Sequence, residues 1–152
     1  MLATIDVGSN TVRMLLGHVQ NGDLIPMRYE RAITRLGGNF SQETGLAAES
    51  MERTLDALRG FAEILKASSP LKIRAVGTAA LRRAVNRDDF ILKITEETGL
   101  FLEVIDGQKE AHLSALGVLE ALDPPPRCAL IIDIGGGSTE LILLEKNNVL
   151  FR

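Results

Sequence analysis

Two segments of the chain carry the same short motif, in which an isoleucine and an aspartate precede a glycine-containing turn. The motif reads Ile-Asp-Val-Gly-Ser-Asn over residues 5–10 and Ile-Asp-Ile-Gly-Gly-Gly over residues 132–137. Glycines let the backbone come close to a ligand, and exposed backbone N–H groups at such turns bind phosphate oxygens. The motif therefore predicts two phosphate-binding loops of the same kind, which suits chemistry on a phosphorylated ligand.

An aspartate stands beside each predicted loop. Asp6 and Asp133 carry the hard oxygen ligands that Mg²⁺ prefers in proteins, usually with several waters retained. One such turn by itself is equally typical of an ordinary hairpin. Three consecutive glycines inside an apolar β segment, at residues 135–137, have little structural justification unless a ligand approaches the backbone. Two copies therefore favour a metal–phosphate complex held in a cleft between two lobes of similar topology.

The hydrophobic pattern places both motifs at turns between β-strands. Residues 2–7, 11–19 and 24–35 are rich in strand-forming residues, and Asn21-Gly22 is typical of a type I′ turn, so the chain opens with an antiparallel meander. Apolar residues from Met51 to Leu65 recur every three or four positions, which predicts a helix. Further on, the pattern predicts a buried strand over 71–78, a helical turn over 79–84, a helix from the N-cap Asn86 to Gly99, a strand over 100–105 and a helix over 107–122.

The last segment of the chain repeats the opening. Three prolines at residues 124–126 break the preceding helix. After them come a strand, the glycine turn, a second strand and an Asn147-Asn148 turn into a third strand. The predicted order is therefore βββαβαβα, followed by a new βββ unit. We place a first lobe over residues 1–123, and a proline hinge with the first three strands of an incomplete second lobe over residues 124–152.

Composition and charge exclude several classes of protein. The 152 residues are 45% hydrophobic and 24% charged, as expected for a folded domain, and the net charge of -3 gives no overall reason to bind nucleic acid. A lone cysteine, Cys128, excludes an internal disulfide and a cysteine-rich zinc site, and we expect it to be buried at the start of a strand. No apolar segment approaches the roughly 20 residues that span a bilayer, and the acidic N-terminal segment is unlike a signal peptide. These features predict a cytoplasmic protein without a membrane partner.

Four segments, taken in order, resemble the exopolyphosphatase and guanosine pentaphosphate phosphatase family of the actin-like ATPase fold. They are IDVGSNTVRMLL, GTAALRRAVNRDDF, TGLFLEVIDGQKEAHLSALGV and LIIDIGGGSTELIL. Sugar kinases, actin and heat-shock chaperone ATPases share that fold but lack the middle two segments. The resemblance implies an α/β protein, with an actin-like (ribonuclease H-like) first lobe built on a mixed sheet and the opening strands of a second, similar lobe.

The resemblance also implies roles for individual residues. Glu110, one turn into the helix that follows residue 106, matches the general base that takes a proton from the attacking water. The positions that match phosphate-binding residues of the family are Gly8, Ser9, Asn10, Arg13, Arg82, Gly135, Gly136, Gly137, Ser138 and Thr139. The positions that match residues near the metal are Asp6, Asp133 and Glu140. Guanidinium groups suit phosphate because their planar fork donates paired hydrogen bonds.

Each of the isolated charged residues also has a plainer interpretation. Arg13 is consistent with an outward-facing strand cation, and Arg82 with a solvated helix that carries two further arginines. A glutamate such as Glu110 in the first turn of a helix is favoured by the helix dipole, and Glu140 is consistent with a surface hairpin residue. The family usually has arginine where this chain has His112, which we expect to be solvated or packed.

The implied reaction is hydrolysis of a terminal phosphoanhydride bond of inorganic polyphosphate or guanosine pentaphosphate, with Mg²⁺, or else Mn²⁺ or K⁺, as the cofactor. The alternatives are an ATP-dependent phosphotransferase of the same fold and a non-catalytic module that binds polyphosphate or a guanosine alarmone. The sequence does not decide between the two substrates. We expect the chain to end before its second lobe is complete, to have little activity alone, and to form a homodimer through uncovered strands.

Overall fold

The computed structural model describes residues 1–122, 124, 126–145 and 148–151, with the backbone alone for the last of these ranges. Its elements follow the predicted order of strands and helices. They are β1 (Leu2–Val7), β2 (Thr11–Gln20), β3 (Asp23–Ile33), α1 (Ala48–Ser68), β4 (Lys72–Gly77), α2 (Ala79–Arg83), α3 (Arg87–Thr98), β5 (Leu102–Val104), α4 (Gly107–Glu120), β6 (Cys128–Ile134), β7 (Thr139–Glu145) and β8 (Asn148–Phe151). None of the helices in this described part is both long and apolar enough to cross a membrane.

The first sheet has five strands in the order β3-β2-β1-β4-β5. Strands β1, β2 and β3 form the antiparallel meander, whereas β4 and β5 run parallel to β1. Side chains alternate between the two faces of a strand, and one face of this sheet is buried together with α1 and α3 in the main core. The largest fully buried members of that core are Ile5, Val7, Val12, Met14, Leu16, Leu36, Leu55, Leu58, Leu81 and Ile94.

The second sheet contains β6, β7 and β8 in that order, and its first hairpin repeats the first hairpin of the chain. The backbone N–H of Gly8 donates to the carbonyl oxygen of Thr11 at 3.1 Å, and that of Gly135 donates to Ser138 at 2.9 Å. The same backbone hydrogen bond, between residues three positions apart, therefore closes both turns and supports the internal repeat. The predicted turn at Asn147 lies outside the described residues.

Helix α4 covers one face of the second sheet. Ala111 and Ala115 on α4 pack with Ile142 and Leu144 on β7 in a small second core. The opposite face of this sheet is exposed in the described residues, with the apolar side chains Leu130, Ile132, Ile134 and Leu141. Cys128 alternates onto this exposed face. The prediction of a buried cysteine was therefore wrong, because strand pattern alone does not tell which face of β6 meets α4.

Helix ends match the predicted boundaries in part. Gly99 ends α3 in the left-handed conformation, with its N–H donating to the carbonyl of Thr95, as a glycine C-cap does. Asn86 stands at the N-cap of α3 but makes no capping hydrogen bond. Its side-chain amide instead pairs with both backbone groups of buried Leu46, at 2.9 and 3.0 Å. The predicted N-cap position of Asn86 is confirmed, but its side chain satisfies a buried backbone instead of capping the helix.

Three predicted strands are shorter or more exposed than the sequence indicated. Strand β3 ends at Ile33 because the chain then turns, with Arg35 at a positive φ of 50°. Strand β4 is exposed over its first three residues and buried only toward Gly77, contrary to the prediction of a buried strand. Strand β5 has three residues because it pairs only with the end of β4.

The predicted lobe boundary falls between α4 and β6. Asp123 and Pro125 at this boundary lie outside the described residues. Helix α4 belongs to the predicted first lobe by sequence, yet it packs against β6 and β7 of the second sheet. The division at residue 124 stays a prediction, and α4 contacts the second sheet across it.

Candidate functional site

The two glycine loops lie against each other at the ends of β1 and β6. A Cβ atom built on Gly136 would lie 2.7 Å from the Asn10 Cβ and 3.1 Å from the Asn10 nitrogen. A Cβ atom on Gly137 would collide with the Ser9 hydroxyl oxygen. Neither glycine has a positive φ. The glycines at 136 and 137 are therefore required by close approach of the two loops rather than by an unusual backbone conformation.

The first loop is held from behind by the segment that follows β3. The N–H groups of Thr34 and Arg35 donate to the Asn10 carbonyl at 3.1 and 3.0 Å, and the N–H of Gly37 donates to the Ser9 carbonyl at 2.7 Å. These bonds occupy the carbonyl oxygens of the loop. Among the described residues, they leave the N–H groups of Ser9 and Asn10, rather than the carbonyl oxygens of these residues, available at the loop junction.

The loop junction is rich in hydrogen-bond donors. The Ser9 hydroxyl is buried, and no described protein atom pairs with it. Within the described ranges, the backbone N–H groups of Ser9, Asn10, Gly136 and Gly137 also have no protein acceptor. Buried polar groups normally have partners, so an unpaired buried hydroxyl in a cleft indicates a ligand or water position. A cluster of donors of this kind suits an anion.

Asp6 is paired with Arg13 across the first hairpin. The two residues are direct cross-strand partners, and Arg13 Nη1 donates to Asp6 Oδ2 at 3.1 Å. Burial raises the pKa of Asp6, the Arg13 guanidinium opposes that rise, and the Asp133 carboxylate adds to it. Arg13 is thus engaged with a carboxylate, and its predicted phosphate contact stays a prediction.

The second hairpin places a carboxylate where the first has an arginine. Glu140 lies directly opposite Asp133 and follows it by seven residues, as Arg13 follows Asp6. Like charges directly opposite each other on antiparallel strands are destabilising unless a cation compensates them. The Asp133–Glu140 pair is therefore the part of the site whose chemistry best suits a cation.

Ser114 on α4 fixes the Asp133 carboxylate, since its hydroxyl donates to Asp133 Oδ2 at 2.6 Å. Ser114 is not among the residues that the sequence motifs predicted. Ser114 could have been found from its position four residues after Glu110, because that spacing puts both side chains on one face of α4. Ser114 is therefore a candidate for orienting Asp133.

The residues present fit a magnesium ion shared with phosphate rather than an all-protein cage. No group of three or more His, Cys, Asp or Glu residues in the described part of the chain could hold a metal ion. Mg²⁺ usually binds through one or two carboxylates together with substrate phosphates. Asp133 and Glu140 meet that requirement, whereas Asp6 already has a cationic partner. The metal-binding assignments of all three stay predictions.

Arg82 and Glu110 form an ion pair beside the loops. Arg82, on α2, donates from Nη1 to Glu110 Oε2 at 2.7 Å and to the carbonyl of Ile105 at 3.0 Å. Their side chains are only 25% and 17% exposed. Arg82 is therefore not on a solvated helix face. Glu110 lies in the first turn of α4, whose N-cap Asp106 accepts from the Lys109 N–H.

The other predicted residues lie at the edge of this arrangement. Ser138 closes the second turn through its carbonyl, and Thr139 is exposed at the start of β7. His112 is exposed on α4, as its plainer interpretation predicted. Arg83 is not among the predicted site residues, but its Nη2 atom lies 3.1 Å from the position of a Cβ on Gly137.

Comparison with known proteins identifies relatives of this arrangement. Residues 16–151 match the Ppx/GppA phosphatase family. The crystal structure of an exopolyphosphatase from Cytophaga hutchinsonii has a TM-score of 0.92 and 34% identity, over 99% of this chain and 48% of that protein. The Aquifex aeolicus member of the Ppx/GppA family has a TM-score of 0.83 and 30% identity, over 98% of this chain and 48% of its own. The chain thus spans about half the length of these relatives.

A more distant structure shares the fold alone. The ethanolamine utilization protein EutJ from Carboxydothermus hydrogenoformans has a TM-score of 0.53 at 14% identity, over 97% of this chain and 48% of that protein. The predicted α/β actin-like ATPase fold, with its five-stranded mixed sheet, is confirmed by the family structures. With its two glycine loops, its Arg82–Glu110 pair and a family match over most of its length, this chain belongs to the Ppx/GppA phosphatase family.

Proposed function

We propose that this chain binds the terminal phosphates of inorganic polyphosphate or guanosine pentaphosphate and contributes to hydrolysis of the terminal phosphoanhydride bond. The observation that carries the proposal is the contact between the two glycine loops. Neighbours of the Arg82–Glu110 pair reach these loops, since Arg83 lies beside Gly137 and Ser114 of the same helix as Glu110 bonds Asp133. Family membership and the resemblance to an exopolyphosphatase support this substrate class. Phosphoryl transfer needs mainly positioning and charge stabilisation, which such donors supply.

The loops hold phosphate oxygens in this proposal. The N–H groups of residues 9, 10, 136 and 137 and the Ser9 hydroxyl donate to them, and Arg13 adds positive charge at the edge. These donors are fixed before the ligand arrives, because the bonds to the Ser9 and Asn10 carbonyls hold the first loop. Preorganised donors stabilise the developing charge without reorganising during the reaction.

Glu110 acts as the general base for the attacking water. One oxygen of its carboxylate accepts a hydrogen bond from Arg82 at 2.7 Å, so that oxygen is occupied before the ligand binds. Phosphate is a strong acceptor for guanidinium. A bound phosphate therefore draws Arg82 away from Glu110, and Glu110 is freed to accept the proton of the water. In this way substrate binding and activation of the base are coupled.

Asp133 and Glu140 would hold the divalent cation, and Ser114 would orient Asp133. Bound Mg²⁺ would neutralise charge on the phosphate oxygens, and Mn²⁺ or K⁺ are the alternatives. The loops bring Asp6 close enough for Asp133 to raise its pKa. Asp6 therefore contributes to the electrostatics of the site through its pair with Arg13.

A non-catalytic module that binds the same ligand is the second candidate. The observation that favours it is that Glu110 is already neutralised by Arg82, as in a structural ion pair. The phosphotransferase alternative has no such observation in its favour. The predictions of low activity in the 152-residue chain alone and of a homodimer remain predictions.

A phosphate-release assay beside calorimetry tests the proposal. Tripolyphosphate and longer polyphosphate are titrated with Mg²⁺ and without nucleotide, and released phosphate is measured. Binding that depends on Arg82, tested with Arg82→Gln, together with phosphate release supports the hydrolase. Binding without release in a protein as long as the solved relatives would favour the module, and absence of binding would overturn the proposal. Sedimentation over a concentration series measures the oligomeric state.

A further inference from the structure

Arg83 presents a guanidinium group to the second glycine loop. It is the last residue of α2, and its Nη2 lies 3.1 Å from the position that a Cβ on Gly137 would occupy. The same imaginary Cβ would collide with the Ser9 hydroxyl. The Arg83 guanidinium and the unpaired Ser9 hydroxyl therefore approach the backbone of residue 137 from the same junction between the loops.

Within the part of the chain that the structure describes, the charge of Arg83 has no carboxylate partner. Arg13 pairs with Asp6, Arg82 with Glu110 and Arg87 with Asp88. In the described residues, Arg83 forms no ion pair with a carboxylate, and its one hydrogen bond runs from Nε to the Ala79 carbonyl at 3.3 Å. A guanidinium has five N–H donors. The donors on both Nη atoms of Arg83 therefore have no protein acceptor in that part of the chain.

An aromatic ring holds this guanidinium in place. The Arg83 Cζ atom lies 5.6 Å from the centroid of the Phe40 ring, within the range of a cation–π contact. Phe40 belongs to the same turn-rich segment whose Gly37 N–H holds the Ser9 carbonyl at 2.7 Å. One segment thus positions both the first loop and the Arg83 side chain.

Arg82 and Arg83 reach different parts of the site. Arg82 extends toward Ile105 and Glu110 at the start of α4. Arg83 extends toward Gly137 and Phe40. A phosphoanhydride chain carries several phosphate groups, so different phosphates of one such ligand can contact the two guanidinium groups.

We infer that Arg83 is a further phosphate-binding residue, which binds an oxygen of the substrate's phosphate chain at the junction of the two loops. The inference rests on the proposed function, since it assigns a second guanidinium contact to the same ligand. A hydrogen bond to a charged group contributes enough for its loss to weaken binding by about tenfold to a hundredfold. Arg83→Gln removes that contact, whereas Arg83→Lys keeps the charge without the planar fork.

The experiment is calorimetric titration of tripolyphosphate into the wild-type chain and its variants at several salt concentrations. Arg28→Gln is the matched control, because Arg28 is an exposed arginine on β3 paired with Glu30, and its loss changes the net charge equally. We expect Arg83→Gln to weaken binding about tenfold or more, Arg83→Lys to restore part of the affinity, and Arg28→Gln to bind as the wild type does. Loss of one charged contact should also lower the slope of log Kd against log salt, because charge attraction is screened by salt.

The outcomes separate this inference from the proposed function. Wild-type binding that is weakened equally by Arg83→Gln and Arg28→Gln, or by neither, overturns the role of Arg83 and leaves the proposed function intact. A wild-type chain that does not bind tripolyphosphate overturns the proposed function itself. Circular dichroism of each variant identifies unfolding. If Arg83→Gln does not fold, a folded Arg83→Lys with full affinity and an unchanged slope counts against the inference, and one with reduced affinity supports it.

Discussion

Gly136→Ala should separate the two loops and weaken phosphate binding. An added Cβ would lie 2.7 Å from the Asn10 Cβ, whereas nonbonded carbon atoms prefer about 3.5 to 4.0 Å. One loop must therefore move by about 1 Å. Overpacking of this kind costs about 1 to 3 kcal/mol in a closed core. Gly136 is exposed, so we expect a stability loss at the low end of that range.

The larger effect should be on ligand affinity. A ligand held by both loops loses its geometry when one loop shifts, and a 1 Å misplacement can cost about a hundredfold. We therefore expect tripolyphosphate affinity to fall by about one to two orders of magnitude, measured by calorimetry with Mg²⁺ present. Thermal unfolding of the same samples gives the stability change.

Gly60→Ala is the control for this prediction. Gly60 lies in α1 with open space around the added methyl group, so alanine should stabilise the helix by roughly 0.5 to 1 kcal/mol and leave binding unchanged. Wild-type affinity in Gly136→Ala would refute the claim that loop contact forms the site. Because residue 136 has no positive φ, the effect should already appear with alanine and not require a branched side chain such as valine.

Three further predictions concern the carboxylates of Glu110, Asp133 and Asp6. In a protein as long as the solved relatives, Glu110→Gln should lower phosphate release by about 10² to 10⁴ while affinity for tripolyphosphate is kept, and near-normal release would remove Glu110 from the mechanism. Ser114→Ala should weaken Mg²⁺-dependent binding by about 10- to 100-fold through loss of the bond to Asp133, whereas an unchanged Mg²⁺ titration would make that bond purely structural. Burial raises the pKa of Asp6, so its charged form disfavours folding, and Asp6→Asn should raise the Tm in metal-free buffer at neutral pH. That gain should vanish as the pH falls below the ordinary value of 3.8, and a gain that persists in acid would contradict this cause.

Local signals were sufficient to predict the order of the elements. The repeated Ile-Asp-x-Gly turn, the spacing of apolar residues in α1 and the glycine that ends α3 each depend on neighbours close in sequence. The observed elements follow these signals within a few residues. Strand ends were less predictable, because β3 and β5 end where a partner strand or a turn ends, and partner position is a tertiary property.

The sequence did not predict side-chain partners that are distant along the chain. Asn86 has a residue type that favours N-caps and stands at that position, but its side chain pairs with Leu46, 40 residues earlier. Cys128 has the pattern of a buried strand residue, but the face of β6 that meets α4 is the other one. Arg82 was identified from a motif, yet its partner Glu110 lies 28 residues away. Such pairings depend on how the elements pack together.

Helix α4 accounts for why the pieces of the site belong together. Its first turn carries Glu110, which pairs with Arg82 on α2, next to the first sheet. Its next turn carries Ser114, which donates a hydrogen bond to Asp133 of the second hairpin. An α-helix rises about 1.5 Å per residue, so a single rigid turn sets the distance between the predicted base and the predicted cation ligand. Ala111 and Ala115, on the side that packs against β7, keep α4 against the second sheet. A change in the packing of α4 would therefore move the Glu110 and Asp133 carboxylates together. Substitutions at Ala115 should change the position of both carboxylates, although Ala115 contacts neither of them.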